Sequence, residues 1–193
     1  MRYILCLLFL PSFASAETFV VSFISMPEKE ANRTSHVLKA QLHAQMHSPK
    51  DRKSFFKSMD WLKENVRKND KVVIYLYGHG STAKGKFKIA AEGGAISASE
   101  IKERLAPLPG HVLVVLDSCE SAGALAEKWG TIDIICACQI KESAYVGVLS
   151  PVLNKSLRQK RLSVSGFAHE VEQGVKCKDQ HVKFHLGSEW QLK

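Results

Sequence analysis

The sequence predicts an α/β fold, a three-layer α/β/α sandwich built around a mainly parallel sheet. Three runs predict the sheet: TFVVSFI at Thr18–Ile24, KVVIYLY at Lys71–Tyr77 and HVLVVL at His111–Leu116. Each run is almost entirely apolar, which is typical of strands that are buried on both faces of a parallel sheet. Segments with apolar residues at helical spacing separate the runs, so helices are expected to cover both faces.

The other predicted elements rest on helical spacing and on local capping signals. Ser97 followed by Glu100 forms a capping box, which predicts the start of a helix that ends near residues 107–110. Strands and helices therefore alternate along the chain, as expected for an α/β fold. The remaining expected helices cover residues 31–46, 50–68 and 163–173, and one more follows Cys119 and runs to about residue 128. The remaining short strands cover residues 85–91, 131–138 and 181–186.

Size and charge narrow the classes of function. The chain has 193 residues, 45% of them hydrophobic, which fits one domain with one core and one active site. Its net charge is +8 at pH 7, but the lysines and arginines are scattered, which is typical of a solvated surface. Because no basic cluster is interleaved with aromatic residues, nucleic acid is not expected as a partner.

Residues 1–16 have the layout of a cleavable secretory signal. A basic Arg2 is followed by an apolar run, a break at Pro11 and the small residues Ala14-Ser15-Ala16. The apolar run is far shorter than the roughly 20 residues of a membrane-spanning helix, so a signal is favoured over an anchor. We therefore predict cleavage after Ala16, a secreted or periplasmic protein with no membrane attachment, and one domain formed by residues 17–193.

Removal of the signal leaves four cysteines, namely Cys119, Cys136, Cys138 and Cys177. An even count in an oxidising compartment suggests disulfides, whereas a catalytic thiol would leave one bridge and one buried free thiol. Cys136 and Cys138 lie two apart in a predicted strand and are poorly placed to pair with each other. A disulfide between Cys177 and one of these two is the expected arrangement.

A cysteine and a histidine follow two successive predicted strands. His79 lies two residues beyond one strand and Cys119 three beyond the next, so both are expected at the same edge of the sheet. Cys119 precedes a predicted helix, whose dipole would favour the thiolate, and a nearby imidazole would accept the thiol proton. The backbone N–H groups of Gly80 and Cys119 are candidates for an oxyanion hole. Neither a metal nor another cofactor is predicted.

The two segments that carry these residues resemble the catalytic motifs of caspases, metacaspases and legumains. They read YGHGS at residues 77–81 and LDSCES at residues 116–121. The resemblance implies a caspase-like fold and a cysteine endopeptidase that cuts peptide or protein substrates through a thioester acyl-enzyme. It also implies that His79 and Cys119 form the catalytic dyad.

The same resemblance implies three substrate-binding residues, of which Asp117 faces the pocket for the residue before the scissile bond and Ser143 borders it. A carboxylate there would favour arginine or lysine through charge pairing. Arg33 occupies the place of a pocket arginine in caspases and legumains. If Arg33 enters the pocket, asparagine or aspartate becomes the expected specificity; otherwise it is a solvated helix residue. Asp117 has its own alternative role as a helix cap.

Two alternative functions stay open. A non-catalytic, caspase-like binding or regulatory protein would keep the fold and lose the working pocket. A legumain-like transpeptidase with specificity for asparagine or aspartate would use the same dyad and differ in how water reaches the thioester. The sequence does not indicate the oligomeric state.

Overall fold

The computed structural model describes residues 15–193, so residues 1–14 of the predicted signal lie outside the described part. The strands are β1 (Thr18–Ile24), β2 (Gln45–His47), β3 (Lys71–Tyr77), β4 (Gly80–Ala83), β5 (Lys86–Ile89), β6 (Ile96–Ser97), β7 (His111–Asp117), β8 (Asp133–Cys136) and β9 (Lys183–His185). The helices are α1 (Lys29–Leu42), α2 (Arg52–Asn65), α3 (Ala98–Leu105), α4 (Leu149–Ser156) and α5 (Val164–Gly174), and a 3₁₀ helix spans Ser121–Ala126.

A six-stranded sheet forms the centre of the molecule, in the order β2-β1-β3-β7-β8-β9. All neighbouring strands are parallel except β9, which is antiparallel to β8. A smaller antiparallel sheet, β4-β5-β6, lies between β3 and α3 along the chain. The predicted mainly parallel α/β fold is confirmed.

Helices cover both faces of the central sheet, which gives the three predicted layers. Alternate residues of β3 point to opposite sides: Ile74 packs in one hydrophobic core and Tyr75 in the other. The core around Ile74 includes residues of α2 and α3, and the core around Tyr75 includes residues of α1, α4 and α5. Because the helices bury both faces of the sheet, the strands need apolar side chains on both sides. This requirement produces the continuous apolar runs from which the strands were predicted.

The predicted capping signal marks the start of α3 correctly, and α5 begins at a similar cap. Ser97 accepts a hydrogen bond from the backbone N–H of Glu100, whose side chain accepts in turn from the N–H of Ser97, so the predicted capping box is confirmed. Ser163 caps α5 by accepting from the N–H of Gly166. These caps satisfy backbone donors that have no partner within the helix.

Two helices on the Tyr75 side of the sheet differ from the sequence prediction. The first predicted helix ends early because His43 adopts a left-handed conformation with φ of 49°, and the segment that follows becomes the edge strand β2. Helix α4 was not predicted, since Pro151 lies in its first turn. Proline is tolerated there because the N–H groups of a first turn have no intrahelical partner.

The C-terminal segment is held against the central sheet by Trp190. Its indole N–H donates to Asp133 Oδ2 at 2.6 Å, and its ring stacks on His111 with centroids 5.3 Å apart. Asp133 is fully buried, and burial raises the pKa of its carboxyl although the indole bond opposes that rise. The tryptophan therefore stabilises a buried carboxylate as well as filling space.

Replacing Trp190 with phenylalanine should lower the free energy of unfolding by about 2 kcal/mol at pH 7, because a buried charge loses a hydrogen bond. The bond favours ionised Asp133, so the loss should shrink as the pH falls through the pKa of that carboxyl. Urea unfolding of the wild type and of Trp190→Phe at several pH values measures this loss of stability. Trp61→Phe is the control, because the Trp61 indole has no hydrogen bond within residues 15–193; a pH-independent loss in Trp190→Phe would contradict the prediction.

No helix within residues 15–193 combines the length and the apolar character needed to cross a membrane.

Candidate functional site

The structure brings His79, Gly80 and Cys119 together at the carboxyl edge of the central sheet. Strands β3 and β7 pair with Tyr77 opposite Asp117, so His79 and Cys119 each lie two residues beyond a paired position. A Cβ atom on Gly80 would lie 2.6 Å from the carbonyl oxygen of Cys119, which shows that the two segments touch. His79 is exposed and Cys119 is half-buried, so both side chains are open to a substrate.

The backbone N–H groups of Gly80 and Cys119 are not used by the sheets. Ala90 N donates to His79 O at 2.7 Å, which makes Gly80 and Ile89 an antiparallel pair that exchanges no hydrogen bonds. The N–H of Gly80 therefore points away from β5. Within residues 15–193 the N–H of Cys119 has no acceptor either. Two free donors next to a thiol can stabilise an oxyanion.

Glu120 holds the two segments of the site together. Its backbone is left-handed, with φ of 53°, and its carboxylate accepts a hydrogen bond from Thr82 N at 2.6 Å. The Thr82 hydroxyl donates to the carbonyl of Glu120 at 2.9 Å. This contact ties the strand that follows His79 to the turn that follows Cys119. Sequence reasoning missed Glu120, because the acceptor is identified only by the position of β4.

The predicted helix after Cys119 is replaced by the 3₁₀ helix Ser121–Ala126. It has six residues and its N-cap, Glu120, has no side-chain capping bond. The expected support of the Cys119 thiolate by a helix dipole therefore has no counterpart, because a short 3₁₀ segment carries a small dipole. The small residues of this segment pack closely on β4, where a Cβ on Gly123 would lie 2.0 Å from Thr82 Oγ1.

The loop of residues 139–148 forms a wall beside the thiol. Cys119 Sγ lies 4.0 Å from the carbonyl oxygen of Ala144. Ser143, predicted to border the substrate pocket, is exposed on this loop next to Ala144. Tyr145 is 46% exposed. The loop thus offers polar and aromatic groups to a ligand that reaches Cys119.

Gln180 fixes this loop, and sequence reasoning missed it. Its side chain is 1% exposed, accepts from Tyr145 N at 2.9 Å and donates to Ala137 O at 3.2 Å. Nearby, Glu142 accepts hydrogen bonds from the backbone and ring of His181. A buried glutamine gives no sequence signal, because its role depends on the backbone groups that the fold brings to it.

Asp117 lies directly beneath the site at the end of β7. It is 4% exposed, and its Oδ2 accepts hydrogen bonds from Tyr75 Oη at 3.1 Å and Ser150 Oγ at 2.9 Å. Burial raises the pKa of Asp117 to about 6, and the two hydrogen bonds limit the rise. Its Oδ1 accepts no hydrogen bond from the described residues. The alternative role as a helix cap is wrong, because both partners are side chains and Glu120 precedes the next helix.

Arg33 is not brought to this site. Its side chain is 57% exposed on α1 and forms an ion pair with Glu30 at 3.7 Å. The residues of α1 that face the core are Ala31, Thr34, Ser35, Leu38 and Leu42. Of the two roles predicted for Arg33, the solvated helix residue agrees with its position, and the role in the substrate pocket has no support from its contacts.

The four described cysteines are free thiols. Cys138 Sγ lies 3.4 Å from Ser118 O and 3.3 Å from Glu142 O, which positions it next to the segment that carries Cys119. Burial raises the pKa of Cys136 far above its ordinary value, which makes that thiol unreactive. The structure therefore does not contain the predicted bridge from Cys177 to Cys136 or Cys138. Among residues 15–193 no group of three or more acidic, histidine or cysteine side chains could hold a metal ion.

Asp117→Asn should stabilise the protein at pH 7 by up to about 3 kcal/mol, since a rise of about two pKa units costs about that much. The folded state binds its proton more tightly than the unfolded chain, so the wild-type carboxyl loses stability as the pH rises from about 4 to 6. The advantage of the amide should therefore vanish below pH 4. Thermal and urea unfolding of the wild type and Asp117→Asn between about pH 4 and pH 7 check this prediction. Equal stability of the two proteins at pH 7 would contradict it.

Comparisons with known proteins support the fold and give no activity. No protein-family model matches the chain, and no curated protein matches it. Among solved structures, protein GSU0716 from Geobacter sulfurreducens is similar, with a TM-score of 0.71 and 13% sequence identity. The similarity covers 89% of this chain and 94% of that one. At this identity the likeness establishes the shared α/β fold alone.

Proposed function

We propose that the chain is a cysteine endopeptidase in which Cys119 is the nucleophile and His79 is the general acid and base. The observation that carries this proposal is the pairing of β3 with β7, in which His79 and Cys119 extend equally far beyond adjacent strands. Neighbouring parallel strands lie about 4.8 Å apart, so side chains at matching positions beyond them are within reach of each other. The resemblance of both segments to caspases, metacaspases and legumains supports the same roles.

The reaction follows from these groups. The imidazole of His79 takes the proton of the Cys119 thiol, and the thiolate attacks the carbonyl carbon of the scissile peptide bond. The N–H groups of Gly80 and Cys119 donate to the oxyanion of the tetrahedral intermediate. His79 then gives its proton to the leaving amine, and a thioester forms. Water, deprotonated by His79, hydrolyses the thioester and restores the free thiol.

Asp117 gives the proposed enzyme a preference for arginine or lysine before the scissile bond. Its Oδ2 is occupied by Tyr75 and Ser150, while its Oδ1 is free to accept from a cationic side chain. Ser143 stands on the wall of the same site. Because the pKa of Asp117 is about 6, kcat/KM for basic substrates should fall about tenfold per pH unit below that value. Substrates with a neutral residue there should lack this dependence.

A secreted or periplasmic location, with peptides or proteins as substrates, follows from the signal-like segment at residues 1–16 and belongs to the same proposal. Neither nucleic acid nor a membrane has a role in it.

The test is cleavage of a peptide library under mild reductant, with and without calcium, by the purified protein and by Cys119→Ala. Cys177→Ala is the matched control, because Cys177 is also half-exposed but follows neither β3 nor β7. We expect cleavage after arginine or lysine by the wild type and the control, and none by Cys119→Ala. Cleavage after asparagine or aspartate would overturn the role of Asp117. Folded wild-type protein that cleaves nothing would favour the non-catalytic alternative.

A further inference from the structure

A cavity of about 410 Å³ opens at the carboxyl ends of β1 and β2, beside the proposed dyad. Its walls include the apolar side chains of Ile24, Pro27, Met46 and Pro49. This volume lies within the range of pockets that bind small ligands or side chains. None of the residues predicted from the sequence to bind substrate lines it.

The cavity lies next to the point where the strand order of the central sheet reverses, which is between β1 and β3. From β1 the chain crosses one face through α1 to reach β2, and it then crosses the other face through α2 to reach β3, on the far side of β1. In open parallel sheets, ligands bind in the crevice that such a reversal creates beyond the strand ends. That crevice lies between the ends of β1 and β3, and the cavity adjoins it at Ser25.

Ser25 connects the cavity to the dyad. It lines the cavity, and its backbone N–H donates to Tyr77 O at 2.9 Å. A Cβ on Gly78 would lie 1.8 Å from Ser25 Oγ, so the cavity rim packs directly on the residue before His79. A peptide whose scissile bond lies at Cys119 reaches this rim within a few residues, since an extended chain advances about 3.3 Å per residue.

The chemistry of the cavity selects its occupant. At the floor, the hydroxyls of Ser22 and Ser35 bond to each other, and Ser35 also donates to Ala31 O at 3.1 Å, so these groups need no polar ligand. The charged and titratable side chains at the mouth are His36 and Lys50, both exposed. Apolar walls, a self-satisfied floor and a basic mouth disfavour a cationic side chain and accept an aliphatic one.

We infer that this cavity is a second substrate pocket, which receives an apolar side chain of the peptide near the scissile bond. This inference rests on the proposed peptidase function. It is separate from the pocket over Asp117, because the two lie on opposite sides of the β3 end and take side chains of opposite character.

The test uses a substitution that fills the cavity with a larger side chain. Ser48 lines it and is exposed, so Ser48→Phe should place a ring in the cavity without disturbing the core. We expect the wild type to cleave peptides with leucine or methionine at one fixed position at least tenfold faster than peptides with alanine there. Ser48→Phe should reduce this preference to less than about twofold and keep the preference at the residue before the scissile bond. Ala106→Phe adds a ring at an exposed position just after α3, outside the cavity, and should change neither preference.

The outcomes separate this inference from the proposed function. If the wild type cleaves peptides and Ser48→Phe keeps the apolar preference, the second pocket is overturned and the peptidase stands. If the wild type cleaves nothing, binding of the same leucine and alanine peptides to Cys119→Ala is measured by fluorescence anisotropy. If Cys119→Ala binds the leucine peptide more tightly and adding Ser48→Phe removes this preference, the result supports the pocket but not the peptidase. If Cys119→Ala shows no preference, both proposals are overturned.

Discussion

His79→Ala is expected to lower kcat/KM for the best peptide by about 10³-fold or more. Without the imidazole, the Cys119 thiol has no group to accept its proton and the leaving amine has none to supply one. The ring of His79 forms no hydrogen bond with other described residues and is exposed. The free energy of unfolding should therefore change by less than about 0.5 kcal/mol, as for other surface substitutions.

The measurement is steady-state cleavage together with thermal unfolding. His169→Ala is the control, since this histidine is also exposed and its contacts, with Glu172 at 3.7 Å and with the Phe184 ring at 5.2 Å, lie outside the dyad. It should keep full activity. A His79→Ala protein that retains more than a tenth of the wild-type rate would remove the imidazole from the mechanism.

Gly80→Ala is expected to lower kcat by about 10²- to 10³-fold, the usual effect of losing one oxyanion donor. The added Cβ would lie 2.6 Å from Cys119 O, 2.7 Å from Ser118 Oγ and 2.8 Å from the Phe87 ring. Two of these three groups are main chain or buried core and cannot move aside cheaply. The segment must shift, which turns the Gly80 N–H away from the thiol and costs about 1–3 kcal/mol of stability.

Inhibitor binding distinguishes the loss of an oxyanion donor in Gly80→Ala from a general disturbance of the fold. A peptide aldehyde forms a tetrahedral adduct with Cys119 whose oxygen needs the same donors, so Gly80→Ala should weaken the aldehyde far more than the matching alcohol. Gly166→Ala in α5 is the control, because its added Cβ meets only Ser163 Oγ, at 3.2 Å. Equal weakening of aldehyde and alcohol would show that the substitution acts through the fold alone.

The strands that position the dyad could be predicted because their signal is local. The apolar run Lys71–Tyr77 coincides with β3, and the run that begins at His111 coincides with β7 except for its last residue, Asp117. A strand that is buried on both faces is apolar along nearly its whole length, so the ends of the apolar run indicate where the strand begins and ends. The placement of His79 and Cys119 at one edge follows directly from those two ends.

The supporting contacts could not be predicted because they depend on distant pairs. The bond from Thr82 to Glu120 joins residues 38 apart, and Gln180 reaches Tyr145 across 35 residues. Neither pair leaves a periodic pattern. Arg33 shows the converse case, since likeness to a family motif suggested a pocket and the helix spacing of α1 instead directs the side chain to solvent.

The bond between Glu120 and Thr82 also has a kinetic consequence. Because it joins β4 to the turn after β7, it holds the two proposed oxyanion donors at a fixed separation before any peptide arrives. Under the proposed function, no ordering step is then needed between peptide binding and chemistry. A time course recorded in a stopped-flow instrument should therefore begin at its full rate, with no initial lag. Thr82→Val, which keeps the backbone N–H bond but lacks the hydroxyl, loosens this link and should introduce a lag.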